Sequence, residues 1–358
     1  MKIGIIPTTT QTGERRYNDY LIKGLEERCI DFEVLNHKIL KSSNIRVFLG
    51  SFMLKRILKK KNLSILHNID NLGPFVVRSD KNTKNILTVH DIAPVLFPHL
   101  HGYITRLDFE VILPRLIKNS DSIITVSYST KDDLMSKFGI EEKKLNVIHL
   151  GVDNSFFTPK LPQKDILAKY GINKEYLLFV GNANPRKNLN NLILAFSKIF
   201  DEIPHDLVLI GPINRENLIK FILDDDKFDG IRERFLERII TPGYADYEDL
   251  PFLYSGASSF VFPSFYEGFG LPPLEAMACG TPVISSNNSS LKEVVGKAGI
   301  LIDDPFNLNE ISEKILYMLE NSKLQKKLKN KGLTQVEKFS WDKTVEKTID
   351  VYESMSDK

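Results

Sequence analysis

Pro263-Ser-Phe-Tyr-Glu-Gly-Phe-Gly-Leu-Pro-Pro-Leu-Glu275 is the stretch of this sequence that best indicates the fold and the ligand. An apolar run at 259–262 precedes it and is typical of a short buried strand. Residues 274–279 predict a helix that ends at Gly280. A turn from strand to helix exposes unpaired N–H groups and the positive end of the helix dipole, which together favour an anion.

Two features of this turn define the ligand more closely. Pro272 and Pro273 have no N–H group, so hydrogen bonds to an anion must come from residues 268–271, where the glycines let a phosphate approach. Glu267 and Glu275 flank the turn, and a carboxylate accepts hydrogen bonds from hydroxyls. Phosphates beside hydroxyls indicate a nucleotide sugar, with the two glutamates interchangeable at this point.

The composition is that of a globular protein with more than one domain. A chain of 358 residues, 42% hydrophobic and 26% charged, is too long for one ordinary core. Its two cysteines, Cys29 and Cys279, match no metal-binding spacing and favour a reducing cytoplasm. The apolar run at 3–6 is too short for a signal peptide, and no window approaches the roughly 18 apolar residues of a membrane helix.

Short apolar strands alternate with helical patterns along the chain, which predicts parallel sheets with helices on both faces. The predicted strands lie at 2–6, 32–35, 65–67, 85–89, 122–126, 145–148, 176–180, 206–210, 239–241, 259–262, 282–285 and 299–302. The expected fold is α/β, with two doubly wound, Rossmann-like domains that face each other across a ligand-binding cleft. We expect the domains at 1–155 and 156–339, and a final helix at 340–358 that crosses back to the first domain.

A second loop offers positive charge. Gly181-Asn-Ala-Asn-Pro-Arg-Lys-Asn188 follows a predicted strand and precedes a helical pattern, where an α/β sheet presents ligand-binding side chains. Arg186 supplies a planar fork and Lys187 a point charge, which suits a diphosphate. Such cations, with backbone N–H groups, stabilise a departing nucleoside diphosphate without a metal. A solvated basic loop is the alternative explanation, and the Gly-rich turn opposite favours the diphosphate.

Other motifs are weaker or absent. His90 follows the predicted strand at 85–89 and is either a structural histidine or one that orients sugar hydroxyls. The loop at 8–13 matches neither Gly-x-Gly-x-x-Gly nor a Walker sequence, so a dinucleotide cofactor or an ATPase is not indicated. No Gly-x-Ser-x-Gly, His-x-x-x-His or cysteine cluster is present, which leaves hydrolase and zinc-site hypotheses without support. The run 224–226, three aspartates beside a helix end, is interpreted as a solvated turn.

A basic stretch at 38–61 lies within 34–69, where there are eight Lys and Arg residues and no Asp or Glu. Its second half mixes large apolar groups with a run of lysines. The stretch is either a face that contacts an anionic membrane at the periphery or an amphipathic helix on the domain surface. A nucleic-acid partner is not expected, since no base-reading module accompanies the charge.

Several segments resemble a known family. Residues 267–284 resemble the Glu-x7-Glu signature of the retaining GT-B glycosyltransferases called "group 1", glycosyltransferase family four. Residues 181–188 are similar to that family's Gly-x-x-x-x-Arg-Lys-Asn donor loop, and 243–257 to the stretch beside the nucleotide base. The resemblance covers the C-terminal half almost continuously and the first half in patches.

The resemblance implies a set of site residues and no bound metal or other cofactor. The donor-binding residues are Gly13, Arg186, Lys187, Gly243, Tyr244, Gly268, Phe269, Gly270, Leu271 and Glu275, and the catalytic residues are His90 and Glu267. His90 contacts the sugar and its developing charge. Many relatives carry Gly-x-Gly-Arg-Tyr in the first loop, whereas this chain has Gly13-Glu-Arg15-Arg-Tyr17, which leaves Gly13 as the close-approach glycine.

The resemblance also separates the two acids. Arg186, Lys187 and the amides of 269–271 bind the donor diphosphate, Glu267 holds hydroxyls of the transferred sugar, and Glu275 holds the ribose. The implied activity is retaining transfer of a hexose from a nucleoside-diphosphate sugar to a glycan or lipid-linked saccharide during cell-surface polysaccharide synthesis, in the cytoplasm. GDP-mannose is the favoured donor, because the region around His90 is similar to that of mannosyltransferases, and a UDP-sugar is next.

Three alternatives belong to other classes. A related GT-B phosphorylase uses pyridoxal phosphate, and no convincing Schiff-base lysine site is present. A nucleotide-sugar epimerase would release nucleotide without forming an acceptor product. A non-catalytic nucleotide-sugar-binding protein is disfavoured, because every expected donor-site residue is present.

Overall fold

The computed structural model describes residues 1–8, 13–35, 61–71, 83–161 and 163–356. The chain forms two compact units, which are Met1–Gly151 with Phe339–Lys358 (unit 1) and Val152–Lys338 (unit 2). In the described residues each unit contains a six-stranded sheet, and all strand pairs are parallel. No helix of these residues is both long enough and apolar enough to span a bilayer.

Unit 1 has the strand order β2-β1-β3-β4-β5-β6. The strands are β1 Ile3–Ile6, β2 Phe32–Val34, β3 Ile65–Asn68, β4 Lys84–Val89, β5 Ser122–Thr125 and β6 Leu145–Val147. The helices are α1 Gly13–Glu27, α2 Ala93–Leu96, α3 Tyr103–Asn119 and α4 Tyr128–Phe138, with 3-10 turns at Pro98–Leu100 and Glu142–Lys144. Most strand residues are buried, as expected of a sheet that helices cover on both faces.

Unit 2 has the strand order β12-β11-β10-β7-β8-β9. The strands are β7 Tyr176–Val180, β8 Asp206–Ile210, β9 Ile239–Gly243, β10 Ser259–Phe262, β11 Val283–Ser286 and β12 Ile300–Ile302. The helices are α5 Lys164–Lys169, α6 Leu189–Ser197, α7 Arg215–Asp224, α8 Arg232–Leu236, α9 Leu250–Gly256, α10 Leu271–Ala278, α11 Leu291–Val294, α12 Leu308–Glu320 and α13 Ser322–Val336. Turns of 3-10 helix lie at Pro185–Lys187, Asp226–Phe228, Tyr247–Asp249 and Gly296–Ala298.

The strand order of the second sheet contains one point at which the winding reverses. The first three strands of unit 2 run outward from β7 to β9, and the next three run outward on the other side from β10 to β12. The strands β7 and β10 are therefore neighbours at the point where the winding reverses, with Ser259 opposite Leu177. Doubly wound sheets bind ligands outside the carboxyl ends of the strands at such a point.

The sequence predictions for the elements are confirmed in most places and wrong in two that bear on the site. The strands predicted at 176–180, 206–210 and 259–262 have those bounds in the structure. The helix predicted at 274–279 begins at Leu271, because prolines are tolerated in a first helical turn, where their missing N–H has no partner to lose. The sequence pattern predicts the first helix at 16–28, whereas the helix in the structure is Gly13–Glu27. Apart from Lys61, the basic stretch 38–61 lies outside the described residues, as do loop residues 9–12.

The last helix, α14 Trp341–Ser356, belongs to unit 1, where it packs on α1. The rings of Tyr20 and Trp341 stack with centroids 4.6 Å apart. The close approach needs glycine at two positions. A Cβ on Gly24 would lie 2.5 Å from a methyl of Val345, and one on Gly151 would lie 2.1 Å from the Trp341 nitrogen.

A buried polar network joins α14 to the sheet of unit 1. The Tyr352 hydroxyl lies 2.6 Å from Nδ1 of His67, and Nε2 of His67 lies 2.8 Å from the Thr88 hydroxyl. The Tyr17 hydroxyl, on α1, lies 3.3 Å from the same oxygen of Thr88. The network therefore fixes the C-terminal helix, α1, β3 and β4 against one another through groups that water does not reach.

Burial lowers the pKa of His67 from its ordinary value of 6.5 to about 3, and the neighbouring His90 adds to the shift. As the pH falls below 6.5, the unfolded chain takes up a proton at this position while the folded chain does not do so until about pH 3. Acid therefore favours the unfolded state through this residue, and the stability that is fully present above pH 6.5 falls as the pH approaches 3.

Replacing His67 by glutamine should make the acid dependence of stability shallower. The single proton accounts for a slope of about 1.4 kcal/mol per pH unit in the free energy of unfolding between the two pKa values. Denaturant titrations between pH 4 and pH 7 measure this slope. His99→Gln, at an exposed histidine of the same unit, serves as the control and should leave the slope as it is. An unchanged slope in His67→Gln would show that the buried histidine accepts a proton in the folded state.

Candidate functional site

The loops that follow β7 and β10 contact each other at the point where the winding of unit 2 reverses. The Phe265 N–H donates to the carbonyl of Arg186 over 3.0 Å. The amide of Asn188 donates to the carbonyl of Pro263 over 3.0 Å. The structure thus joins the two segments that the sequence suggested, the loop at 181–188 and the Gly-rich turn at 263–271, into one site.

The charged centre of this site, called here the Glu267 cluster, consists of Arg186, Lys187, Ser264 and Glu267. Nζ of Lys187 lies 2.7 Å from Oε1 of Glu267, and Nη1 of Arg186 lies 3.2 Å from Oε2. The Glu267 side chain is 6% exposed, against 12% for Lys187 and 20% for Arg186. The carboxylate therefore lies beneath two cations that still reach the surface of the unit, where an anion meets the positive charge first.

The charge of Glu267 follows from its neighbours. Burial alone would raise the pKa of its carboxyl, but the positive charges of Lys187 and Arg186, with hydrogen bonds from Lys187 and Ser264, hold it below its usual range. At neutral pH Glu267 is therefore an anion that only accepts hydrogen bonds. Lys187 also lies over the ring of Phe262, with Nζ 4.8 Å from the centroid, so β10 supplies a second favourable contact for this cation.

Ser264 positions the carboxylate from below. Its hydroxyl oxygen lies 2.6 Å from Oε1 of Glu267 and 2.8 Å from the Arg186 carbonyl oxygen. The residue is fully buried, so the hydroxyl is confined to partners within the site. This serine connects the acid of one loop to the backbone of the other.

Asn188 holds the cationic loop in place. Its backbone is left-handed, with φ 61° and ψ 31°, a conformation that asparagine adopts more readily than most residues with a side chain. Its buried amide group donates to the carbonyl oxygens of Pro263 and Pro305, which lie 3.0 and 2.5 Å away. Asn188 comes directly after the two cations, at the junction of the 3-10 turn and α6. Its hydrogen bond to Pro263 ties this junction to the end of β10.

Glu275 has a different environment from Glu267. It is 3% exposed on α10, and the Tyr254 hydroxyl donates to its Oε2 over 2.9 Å. The structure therefore distinguishes two acids that the sequence left interchangeable. One carboxylate contacts two cations, whereas the other accepts from a tyrosine hydroxyl.

The Gly-rich turn lies between these two acids. Gly270 precedes α10 with φ 109° and ψ 55°, a backbone conformation that favours glycine, and a Cβ there would lie 2.8 Å from a methyl of Leu291. Leu271 is the first helical residue and has a backbone N–H group. Pro272 and Pro273, which follow it, have none, so Leu271 supplies the first N–H of the helix. Gly268 and Phe269 are buried within the same turn.

The residues suggested for the nucleotide base lie farther along the sheet. Gly243 ends β9, two strands away from β7, and its carbonyl accepts from the N–H of Gly211 over 2.8 Å. Tyr244 follows and is 77% exposed. Nothing in the described contacts brings these two residues to the Glu267 cluster.

His90 and Gly13 belong to unit 1. His90 is 6% exposed, and its backbone N–H donates to Oδ1 of Asn71 over 2.7 Å. Nε2 of its ring lies 3.0 Å from the Ile69 carbonyl oxygen. Because a carbonyl oxygen only accepts, Nε2 carries the hydrogen and Nδ1 is the acceptor of the neutral ring. The rings of Tyr17 and His90 make an edge-to-face contact, with centroids 5.3 Å apart. Gly13 is the first residue of α1.

The fold is that of the GT-B glycosyltransferases. Over 99% of both chains, the structure is similar to sucrose-phosphate synthase from Thermosynechococcus elongatus, with a TM-score of 0.76 at 20% identity. HepE of Anabaena, solved with UDP and glucose, gives a TM-score of 0.73 at 17% identity over 99% of this chain and all of that one. The expected class of fold is confirmed.

The sequence narrows this class to a family. The family model described as "Glycosyl transferases group 1" matches residues 162–335, and the one described as "Glycosyltransferase Family 4" matches residues 11–156. O-antigen chain mannosyltransferase B of Escherichia coli is 33% identical over 285 residues, which are 78% of this chain and 73% of that protein. The serotype-specific mannosyltransferase WbdA of Escherichia coli is 30% identical, and the match spans 78% of this chain but 35% of that protein. The chain belongs to the group 1 glycosyltransferases of family 4, as the Glu-x7-Glu segment predicted.

Three residues of the site were not predicted from the sequence. Ser264 lies within the turn at 263–271, Asn188 is the last residue of the loop at 181–188, and Tyr254 comes from α9. For Asn188 the residue type was a partial signal, since asparagine adopts the left-handed conformation more readily than most residues with a side chain. For Ser264 and Tyr254 the decisive information is the partner, which only the folded chain supplies.

Paired substitutions at Asn188 should separate its backbone role from its side-chain role. Asn188→Gly keeps access to the left-handed conformation but loses the buried amide, which should cost about 1–3 kcal/mol in the free energy of unfolding. Asn188→Ala loses both and should cost about 1–2 kcal/mol more. Chemical denaturation of both variants measures the difference. Equal stabilities would show that the left-handed backbone at this position imposes no strain.

Proposed function

We propose that this protein is a retaining, metal-independent hexosyltransferase that uses a nucleoside-diphosphate sugar. The observation that carries the proposal is the Glu267 cluster, in which Arg186 and Lys187 lie over one buried carboxylate at the reversal point of the unit 2 sheet. Positive charge at that edge suits the diphosphate, and an acceptor-only carboxylate beside it suits sugar hydroxyls.

The donor is recognised in parts. Arg186, Lys187 and the amides of 269–271 bind the diphosphate, supported by the left-handed Gly270 that opens the helix. Glu267 accepts from hydroxyls of the transferred sugar. Glu275, at the other end of the turn, accepts from the ribose hydroxyls. Gly243 and Tyr244 pack beside the base, a role that the high exposure of Tyr244 allows.

Unit 1 contributes His90 and Gly13. The hydrogen bond from Nε2 of His90 to the Ile69 carbonyl fixes the ring, so Nδ1 is the atom that meets the sugar and its developing charge. Gly13 offers a position without a side chain at the start of α1. Unit 1 is the acceptor side of the enzyme, with a glycan or lipid-linked saccharide as acceptor.

The transfer proceeds on one face of the sugar. The bond from the anomeric carbon to the diphosphate oxygen breaks, and the bond to the acceptor oxygen forms on the same face, so the configuration is retained. The acceptor proton passes to the departing phosphate oxygen. Arg186 and Lys187 stabilise the charge that grows on this leaving group, which is the task that a metal ion performs in other transferases.

The names of the relatives favour mannose. The Escherichia coli proteins named above are mannosyltransferases, one of them of O-antigen chains, and so is O-antigen chain mannosyltransferase RfbU of Salmonella typhimurium, at 29% identity. We therefore assign GDP-mannose as the first candidate donor and a UDP-sugar as the second, in the synthesis of a surface polysaccharide. We propose that the enzyme acts in the cytoplasm and that the basic stretch 38–61 contacts the inner membrane face at its periphery.

A thermal-shift panel of GDP-, UDP-, ADP- and TDP-sugars tests the donor class. A ligand that binds only the folded state stabilises it by mass action, about 2.7 kcal/mol at a hundred times its Kd. GDP-mannose should raise the Tm most, with the UDP-sugars next. No shift with any nucleotide sugar would contradict the proposed function.

Truncation of the second acid tests the ribose assignment. Glu275→Ala should weaken donor binding at least about tenfold, because ribose hydroxyls lose a charged acceptor worth about 1.5–3 kcal/mol. Glu313→Ala, an exposed glutamate of α12, serves as the control and should bind donor like the unaltered protein. Undiminished binding by Glu275→Ala would remove this residue from the site.

NMR of the product anomer tests the mechanism, and an inverted configuration would contradict it.

A further inference from the structure

We propose that Glu267 makes the site discriminate against the free nucleoside diphosphate and thereby promotes release of the product after transfer. This proposal rests on the proposed function and deepens it. It assigns Glu267 an effect on the leaving nucleotide that is separate from its contacts with sugar hydroxyls.

The starting observation is that the two cations already face an anion. Both oxygens of the Glu267 carboxylate contact a cation, Lys187 at 2.7 Å and Arg186 at 3.2 Å. All three side chains are largely shielded from water. In such an environment charges act on one another more strongly than they do at an open surface. A diphosphate that approaches Arg186 and Lys187 therefore meets two positive charges and one fixed negative charge at the same place.

Donor and product differ at this place in two ways. In a nucleotide sugar, the terminal phosphate is esterified to the sugar, carries a single negative charge, and brings hydroxyls that donate to Glu267. After transfer, the terminal phosphate keeps only its anhydride bond to the inner phosphate and gains a second ionisation near pH 6, so at about pH 7 it carries close to two charges. The hydroxyl donors have left with the sugar. Glu267 thus changes from a carboxylate that accepts hydrogen bonds from the ligand to a buried anion that repels it.

The other acid of the site supplies the contrast. Glu275 lies at the far end of the turn, accepts from the Tyr254 hydroxyl, and is assigned to the ribose. The ribose is present in donor and product alike. Loss of the Glu275 charge should therefore weaken both ligands to a similar extent, whereas loss of the Glu267 charge should affect them in opposite directions.

Calorimetric titration of GDP and GDP-mannose, and of UDP and UDP-glucose, into Glu267→Gln tests the proposal. Glutamine keeps the shape of the side chain but removes the charge. The affinity of Glu267→Gln for the free diphosphate should be at least about tenfold higher than that of the unaltered protein, because two cations have lost their counter-ion. The nucleotide sugar should bind no more tightly than before. Glu275→Gln serves as the control and should weaken both members of the pair.

A second variant covers the event that Glu267→Gln does not fold. Glu267→Asp retains the charge but withdraws it from the cations by one methylene, and it should tighten the binding of the free diphosphate by a smaller factor. Circular dichroism of each variant without ligand establishes that it is folded.

The outcomes separate the two proposals. Free diphosphate that binds the folded Glu267 variants no more tightly than the unaltered protein overturns the discrimination and leaves the proposed function standing. An unaltered protein that binds none of the four ligands overturns both. Equal tightening of diphosphate and nucleotide sugar shows that Glu267 acts only as a general counter-charge, and this result also overturns the proposal.

Discussion

One buried negative charge beneath two positive ones ties together the two loops at the point where the winding of the unit 2 sheet reverses. A buried carboxylate is costly unless it is paired and hydrogen-bonded. Glu267 satisfies both conditions, because Lys187 and Arg186 contact its two oxygens and the Ser264 hydroxyl approaches from below. Since the cations follow β7 and the acid follows β10, the same contacts hold together the two strands at which the winding of the sheet reverses. Charge pairing and chain topology thus support each other at this edge.

Much of this could be predicted from the sequence, for a simple reason. In a parallel sheet, functional side chains follow the strand ends, and buried strands are visible as short apolar runs between turn residues. The runs at 176–180 and 259–262 therefore located both the strands and the loops that carry Arg186 and Glu267. The Pro-Pro pair similarly restricted the amide donors of the turn to the residues before it. Fold class and family were predictable on the same evidence of local pattern.

The remainder depends on contacts between residues far apart in the chain. The Tyr352 hydroxyl meets His67 across 285 residues, and no local pattern specifies that pairing. The roles of Ser264 and Tyr254 likewise exist only through their partners. The predicted start of α10 was wrong because apolar periodicity begins at residue 274, whereas the helix begins where Gly270 turns the backbone. Periodicity shows which face is buried, but the backbone torsion sets the boundary.

The placement of α14 bears on the order in which the molecule is assembled. Unit 1 is discontinuous in sequence, since its last helix follows the whole of unit 2 along the chain. A ribosome therefore releases all of unit 2 before it releases the tyrosine that meets His67 and the tryptophan that stacks on Tyr20. During synthesis α1 therefore lacks its contact with α14 until unit 2 has been made. Unit 2, in contrast, is continuous in sequence and can fold as a domain before α14 is available. Unit 1 therefore acquires its last helix only after the whole of unit 2 has been synthesised.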